Sequence, residues 1–231
     1  MLKWLDKNDP FPAIETARTY PDGLLVAGGD LAPHRLIDAY RHGIFPWFSP
    51  DDPILWWSPD PRLVLFPDEL KISRSLGKAL RKDYEIRIDT CFETVMRQCA
   101  APRKDGGGTW ISEEMIAAYC ALHELGFAHC VETWMDGKLA GGLYGIAMGK
   151  VFFGESMFSR ASDASKMAFV HLVLQLKRWN FGMIDCQVKT AHLLSLGAVE
   201  IPRSEFALKL KSWMDCKTIT GKWHFDHDLI E

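Results

Sequence analysis

The sequence predicts an α+β protein whose main sheet is mixed and largely antiparallel, with a small N-terminal domain before it. Three observations predict this class. Two alternating apolar runs at 128–135 and 138–148 flank Asp136-Gly137, a strong hairpin signal. A long stretch with helical character covers 164–178. Residues 1–61 are instead dense in Pro, Gly and Trp. Helices packed on a mostly antiparallel sheet define the α+β class.

The N-terminal region is predicted to consist of loops and short strands, because proline removes backbone donors and turns the chain. One helix is expected over about 33–42, where Leu36, Ile37 and Tyr40 stand at helical spacing. We therefore expect a small domain over residues 1–61 and a second domain over 62–231.

The second domain is expected to begin with a short buried strand at 63–66 and a helix over about 73–81. A strand at 84–88 and a helix at about 92–99 follow. The three glycines at 106–108 then predict a loop.

The next helix is predicted from Ser112, a favourable N-cap, to about Leu125, with Gly126 as its C-terminal cap. The hairpin follows, and a further strand over 151–155 completes a three-stranded meander. After the 164–178 helix we expect a strand at 183–188, a short helix at 192–196 that ends at Gly197, and a last strand.

Several classes of protein are disfavoured by the bulk features. The chain holds no run of about 18 apolar residues, so no transmembrane helix is expected. Its first dozen residues lack the apolar core of a signal peptide, and a cytosolic location is expected. The six cysteines form no CxxC pair, so free thiols are expected, with no metal site and no cofactor.

Positive charge is concentrated in one segment, although the net charge is only −3. Residues 71–104 carry nine basic and four acidic side chains, so the remainder of the chain is acidic. Five of the basic residues recur near the predicted 73–81 helix, four of them at steps of three and four: Lys71, Arg74, Lys78, Arg81 and Lys82. One interpretation is that this stripe binds phosphates. The alternative is that it is an ordinary solvated helix face.

Two aromatic loops and one carboxylate are candidates for a chemical site. Trp47 lies in a rigid Pro- and aromatic-rich loop, and Trp110 follows the glycine loop. Either ring could stack on a nucleic acid base, or could instead fill the core. Glu155 stands at the end of an apolar strand, where it needs a partner: an amino group, or nearby backbone donors.

The segment Asp185-Cys186-Gln187 carries a compact polar pair. Strand alternation predicts Asp185 and Gln187 on one face and Cys186 on the other. Asp185 could orient the amide of Gln187 or accept a proton, and Gln187 could position an amine or a carbonyl. Cys186 is expected to be a buried thiol rather than a nucleophile, because no histidine is placed by sequence to activate it.

An ordered set of segments over nearly the whole chain resembles the leucyl/phenylalanyl-tRNA–protein transferase family. The matching segments are Gly-Gly-Asp-Leu at 28–31, 43–50, Ile-Leu-Trp-Trp-Ser-Pro-Asp-Pro-Arg at 54–62, Gly-Thr-Trp-Ile at 108–111, His-Glu-Leu-Gly at 123–126, 141–145, Gly-Glu-Ser-Met-Phe-Ser at 154–159, Ala-Ser-Lys at 164–166, Ile-Asp-Cys-Gln at 184–187 and Ser-Leu-Gly-Ala at 195–198.

The resemblance implies a cytosolic bacterial enzyme that moves Leu or Phe, less readily Met, from aminoacyl-tRNA to the N-terminal Arg or Lys of a protein, creating an N-degron. It implies a small N-terminal domain, a C-terminal domain like that of GNAT acyltransferases, and a monomer. Asp185 and Gln187 would be the catalytic pair, and Trp47 and Trp110 would flank the terminal adenosine, with Glu155 in the same site. The side-chain pocket would use Leu143, Phe152, Met157, Leu172 and Leu176, and the basic residues Lys71, Arg74, Lys78, Arg81 and Lys82 would meet tRNA phosphates.

Two other functions are compatible with parts of the pattern. A GNAT-fold N-acyltransferase would use acyl-CoA, but residues 158–162 lack the closely spaced glycines expected of a CoA site. A non-catalytic RNA-binding module would bind tRNA whether or not its 3′ end is charged.

Overall fold

The computed structural model describes residues 2–102 and 109–229. The predicted loop at 106–108 lies outside the described residues, as do Arg103 and Lys104 at the end of the basic stretch 71–104.

The chain alternates strands and helices along most of its length. The strands are β1 Trp4–Leu5, β2 Leu24–Gly28, β3 Phe45–Pro46, β4 Leu55–Trp57, β5 Arg62–Leu65, β6 Glu85–Ile88, β7 Ala128–Met135, β8 Lys138–Met148, β9 Val151–Ser159, β10 Met183–Gln187 and β11 Val199–Ile201. The α-helices are α1 Pro33–Arg41, α2 Arg74–Ala79, α3 Phe92–Ala100, α4 Glu113–Glu124, α5 Ala164–Arg178, α6 Ala191–Ser195 and α7 Arg203–Met214. Short 3₁₀ turns lie at Ile14–Thr16, Pro67–Glu69 and His227–Leu229.

Two sheets organise these elements. The small sheet has the strand order β1-β2-β4-β3, and the large sheet has the order β11-β5-β10-β9-β8-β7-β6. In the large sheet the β9–β10 pair is parallel, and its other pairs are antiparallel. The predicted α+β class with a mixed, largely antiparallel sheet is therefore confirmed.

The large sheet is covered on both faces, as its alternating side chains require. On one face Tyr144 and Ile146 of β8 pack with α1, α3, α4 and α7. On the other face Leu143 and Ala147 pack with α2 and α5. The first of these clusters also contains residues of the small sheet, so the core is continuous across residues 61 and 62, and the domain boundary there stays a prediction.

Three elements differ from the sequence-based expectation. Helix α2 ends at Ala79, two residues early, so Arg81 and Lys82 lie in the turn that follows. Strand β9 continues past its predicted end at Glu155 to Ser159, because Glu155 forms a bulge rather than the end of the strand. Helix α7 is not predicted from the sequence, since it buries only Phe206 and Leu210 and exposes Leu208, which weakens its apolar periodicity.

Within residues 2–102 and 109–229, none of the helices has the length and apolar character required to span a bilayer.

Candidate active site

The site is formed where the parallel strands β9 and β10 separate. Their last paired residues are Phe153 and Asp185. Beyond that point each strand carries a bulge against its other neighbour: Glu155 is the extra residue of β9, and Cys186 is the extra residue of β10. A bulge bends the strand and re-aims its side chains, so the two strands diverge and leave an opening between them.

A cavity of about 600 Å³ occupies this opening. Its wall is mostly apolar and aromatic, as is typical of small-molecule pockets. Polar groups enter it from β9, β10 and α6. The lining residues used below are Trp47, Trp110, Leu143, Tyr144, Phe152, Glu155, Met157, Ser165, Phe169, Cys186 and Gln187.

Trp47 and Trp110 both line the cavity, at distant positions in the sequence. Trp47 is 43% exposed, so it does not fill the core. Its ring lies 5.5 Å from that of Trp57, whose indole N–H donates to the Trp47 carbonyl at 2.5 Å. The loop is therefore held with the Trp47 side chain at the cavity wall.

The apolar part of the cavity contains three of the five predicted pocket residues, Leu143, Phe152 and Met157. The structure does not bring Leu172 and Leu176 to it. Both are fully buried in the core between α5 and the sheet. Helix α5 reaches the cavity one turn earlier, through Ser165 and Phe169, because the opening lies at its N-terminal end.

Glu155 accepts hydrogen bonds from three side chains on three different elements. Its Oε1 accepts from the Tyr40 hydroxyl of α1 and from the Gln187 Nε2 of β10, both at 2.8 Å. Its Oε2 accepts from the Tyr119 hydroxyl of α4 at 3.1 Å. The two tyrosine hydroxyls are also 2.5 Å apart. The carboxylate predicted to need a partner thus finds several, and still faces the cavity.

The environment of Glu155 shifts its protonation. Burial raises the pKa of Glu155 to about 7, against the opposing effect of the hydrogen bonds from Tyr40, Tyr119 and Gln187. Burial and the Glu155 charge together hold the pKa of both tyrosines well above the usual value, so they act as donors.

Asp185 forms a buried ion pair with Arg62 of the neighbouring strand β5. Arg62 Nε donates to Oδ1 at 2.8 Å and Nη2 donates to Oδ2 at 2.6 Å, with side-chain exposures of 1% and 0%. The guanidinium lies between the rings of Phe45 and Phe206, at 4.8 and 4.6 Å from their centroids. Asp185 does not line the cavity.

Gln187 is fixed by Asp185 through its backbone. The Gln187 N–H donates to Asp185 Oδ1 at 2.9 Å, and Gln187 has a left-handed φ of 63°. This is the local turn that an aspartate side chain stabilises two residues ahead of itself. The bulge at Cys186 breaks the predicted alternation, so Cys186 and Gln187 both reach the cavity while Asp185 points away from it.

Cys186 lacks the environment of a nucleophile. Burial and the nearby Asp185 charge raise the pKa of its thiol well above the usual range. Since the thiolate is the reactive form, this matches the expectation of a buried, inert thiol.

The five predicted phosphate-binding residues form a separate exposed segment. All five side chains are exposed, and none has an ion-pair partner in the part of the chain that the structure describes: Lys71, Arg74, Lys78, Arg81 and Lys82. In contrast, Arg87 and Arg97 of the same basic stretch are paired with glutamates. Among the described residues of this stretch, the unneutralised charge therefore lies at residues 71–82, which we call the basic segment.

Four residues of the site are not predicted from the sequence: Phe169 on α5, and Arg62, Tyr40 and Tyr119. Arg62 opens an otherwise apolar strand, and a lone charge in that position is a signal for a buried partner. The two tyrosines occupy apolar helix positions, and nothing in their spacing distinguishes a core tyrosine from one that donates to a carboxylate.

No group of three or more His, Cys, Asp and Glu side chains within residues 2–102 and 109–229 is arranged to hold a metal ion.

Comparison with known proteins identifies the family. The family model described as "Leucyl/phenylalanyl-tRNA protein transferase" matches residues 64–211, and the one for its N-terminal domain matches residues 29–60. The leucyl/phenylalanyl-tRNA–protein transferase of Nitrosospira multiformis is 66% identical, with 100% of both chains covered. That of Nitrosomonas europaea is 63% identical, with 98% of this chain and 96% of the relative covered.

Among solved structures, a GCN5-related N-acetyltransferase from Kribbella flavida matches with a TM-score of 0.34 and 12% identity, covering 73% of this chain and 60% of that one. This likeness is too distant to add to the argument. The relatives matched over nearly their full length and the family models identify the family, and they agree with the aminoacyltransferase predicted from the sequence. The chain belongs to the leucyl/phenylalanyl-tRNA–protein transferase family.

Proposed function

We propose that this enzyme transfers Leu or Phe, less readily Met, from aminoacyl-tRNA to the N-terminal Arg or Lys of proteins, which marks them as N-degrons. The observation that carries this proposal is the cavity between β9 and β10. It combines an apolar wall for the transferred side chain, two tryptophans, and a polar edge made by Glu155 and Gln187. We further propose that the enzyme acts as a cytoplasmic monomer.

In this proposal the cavity holds the 3′ aminoacyl-adenosine. Trp47 and Trp110 flank the adenine, since aromatic faces stack on any base. Leu143, Phe152 and Met157, joined by Phe169, receive the amino acid side chain. An apolar pocket rejects shorter side chains by only about 1–3 kcal/mol per methylene, so exclusion of β-branched residues depends on its shape.

The reaction needs orientation rather than a covalent intermediate. The ester of aminoacyl-tRNA is already activated, and its conversion to an amide is downhill, so no activated serine or cysteine is required. We propose that Gln187 contacts the incoming α-amine as a catalytic residue. Asp185 then serves as a positioning residue, since its carboxylate holds the Gln187 backbone and does not face the cavity. Orientation of two reactants contributes several kcal/mol.

A direct assay tests the function. The protein is incubated with Phe-tRNA and a peptide with N-terminal Arg, and the peptide mass is followed. We expect a product heavier by one phenylalanine residue, and none from the same peptide with an acetylated N-terminus. An unchanged Arg peptide would contradict the proposal, and equal binding of Phe-tRNA and uncharged tRNA would favour a non-catalytic RNA-binding protein.

The two tryptophans should contribute to tRNA affinity through stacking. We expect Trp47→Ala and Trp110→Ala each to weaken binding of Phe-tRNA by about 1–3 kcal/mol. Titration with fluorescently labelled Phe-tRNA measures this. Trp4→Ala is the matched control, because Trp4 is 61% exposed and lies outside the cavity wall. An equal loss in the Trp4 variant would contradict the assignment.

The basic segment should supply salt-dependent affinity. Reversing Lys71, Arg74 and Lys78 to Glu should weaken tRNA binding and reduce its salt slope by about one for each lost phosphate contact.

The control for this prediction reverses Lys217 and Lys222, which are exposed and lie elsewhere. Gly221, which lies between these two lysines, packs against Gly126 just before β7 begins. The basic segment is followed by β6, whose first residue pairs with Trp134 near the other end of β7. We expect the salt slope of the control to stay that of the unchanged protein. The same slope in both triple and double variants would show that residues 71–82 do not contact phosphates.

A further inference from the structure

Glu155 is the one acidic side chain of the described residues that lines the cavity. Because Glu155 is the extra residue of a bulge, its side chain does not follow the regular alternation of β9 and points toward the opening. Asp185, the other carboxylate of the site, lies outside the cavity wall, and the Arg62 guanidinium and the Gln187 backbone occupy both of its oxygens. A proton that leaves a substrate in the cavity therefore meets Glu155, not Asp185.

The hydrogen-bond network around Glu155 has room for one more proton. Tyr40, Tyr119 and Glu155 make three mutual oxygen–oxygen contacts, at 2.5, 2.8 and 3.1 Å. The two tyrosines supply two hydroxyl protons, so one of the three contacts has no proton while Glu155 is ionised. A proton bound by Glu155 would complete the set.

One oxygen of Glu155 is also available to a substrate. Its Oε1 already accepts from Tyr40 and Gln187, whereas Oε2 accepts only from Tyr119 among the described residues. Each carboxylate oxygen has two acceptor sites, so Oε2 can accept one more donor. The Gln187 amide, bonded to Oε1, is then next to the same donor.

We propose that Glu155 is the proton acceptor for the acceptor peptide's α-amine, and that Gln187 orients the amine beside Glu155 Oε2. This inference rests on the proposed transfer to an N-terminal amine.

The step balances without any further reactant. The neutral α-amine gives its lone pair to the ester carbonyl carbon, and the carbonyl electrons move onto oxygen. The nitrogen loses one proton to Glu155. The oxygen electrons then re-form the carbonyl, the bond to the 3′-oxygen of the adenosine breaks with its electron pair on that oxygen, and Glu155 returns the proton there. The products are the amide and the free 3′-hydroxyl, and Glu155 is again ionised.

The electrostatics of the site agree with this role. The groups that face Glu155 are Tyr40, Tyr119 and Tyr144. The nearby charge of Asp185 adds to the effect of burial in raising the pKa of Glu155. Asp185 is paired with Arg62. With the pKa of Glu155 near 7, the carboxylate is largely ionised just above neutral pH and still basic enough to hold a proton briefly. As the pH falls below 7 the carboxyl becomes protonated, and the rate should fall with it.

The test compares the pH dependence of kcat/KM for Glu155→Gln and the unchanged enzyme, with saturating Phe-tRNA and an Arg-terminated peptide. The peptide α-amine itself titrates at about 7.7–8.0, so both enzymes share that limb. We expect the logarithm of kcat/KM to fall with a slope approaching two at acidic pH for the unchanged enzyme, and with a slope of one for Glu155→Gln. At pH 7.5 kcat should fall by about 10²–10³-fold, within the range of general bases, with little change in the KM for the peptide.

A second variant keeps Glu155 and changes its pKa. Tyr119→Phe removes one donor to the carboxylate, which should raise the pKa of Glu155 and shift the acidic limb to higher pH. The exposed Glu124→Gln is the matched control and should leave the profile unchanged.

Two results would overturn the proposal. A raised KM with unchanged kcat in Glu155→Gln would show that Glu155 binds the acceptor's cationic side chain instead. The second result is a pH profile of kcat/KM whose acidic limb keeps its slope in Glu155→Gln and its position in Tyr119→Phe. That result would show that another group accepts the proton. Both results require an active unchanged enzyme, so they are distinct from failure of the proposed function, in which the unchanged enzyme makes no product.

Discussion

Arg62→Met should lower the free energy of unfolding by about 3–5 kcal/mol, because it leaves the Asp185 carboxylate buried without its partner. The side chain of methionine is apolar and still packs between Phe45 and Phe206, so the charge is the main loss. Equilibrium denaturation with urea measures the change.

Two further variants distinguish the cost of breaking the buried ion pair from the cost of simply removing an arginine. Arg87 makes the same two-pronged contact with Glu85, but in the open, so Arg87→Met should cost far less. The double variant Arg62→Met/Asp185→Leu removes both charges and should recover most of the lost stability. It should not recover transfer activity, because the Gln187 backbone has then lost its acceptor. Equal destabilisation by Arg62→Met and Arg87→Met would contradict the account of the buried pair.

Gln187→Ala should reduce kcat by about 10²-fold while the affinity for Phe-tRNA stays the same, since misplacement of a reactant by about 1 Å has a cost of that size. Single-turnover transfer to an Arg-terminated peptide, together with tRNA titration, measures both quantities. Asp185→Ala should also lose rate more than tRNA affinity, and in addition should be less stable than Gln187→Ala, because Arg62 loses its partner.

The matched control for the amide is Gln98→Ala. Gln98 accepts hydrogen bonds from Arg160 and does not line the cavity, so its variant should keep the rate of the unchanged enzyme. Full activity of both Gln187→Ala and Asp185→Ala would show that the assigned roles are wrong, although the family and its reaction would stand.

The local sequence patterns predicted most of the elements around the site. The Asp136-Gly137 hairpin, the helix N-cap at Ser112 and the long α5 each depend on residues close together in the chain, and each is observed. The pattern offered Trp47, Trp110, Glu155 and Gln187 as separate candidates, and the family resemblance implied that they share one site. The structure places these four around one cavity.

The sequence did not predict how the polar groups divide within that site. Period-two alternation placed Asp185 and Gln187 on one face, but a single bulge residue reversed that relation, and a bulge leaves no clear mark in the apolar pattern. The same limit applies to the pocket residues on α5. Helical spacing groups Leu172 and Leu176 with Phe169 on one side, and only the packing shows where along that side the cavity ends.

The sequence by itself therefore determined the fold class, the family and several side chains of the site, but not Arg62, Tyr40 or Tyr119. Only the tertiary structure decided their partners: Arg62 with Asp185, and Glu155 with Tyr40 and Tyr119. The physical reason is distance along the chain. Periodicity reports on neighbours within a few residues, whereas these contacts join positions 123, 115 and 36 residues apart, and they form only when the sheet and helices have packed.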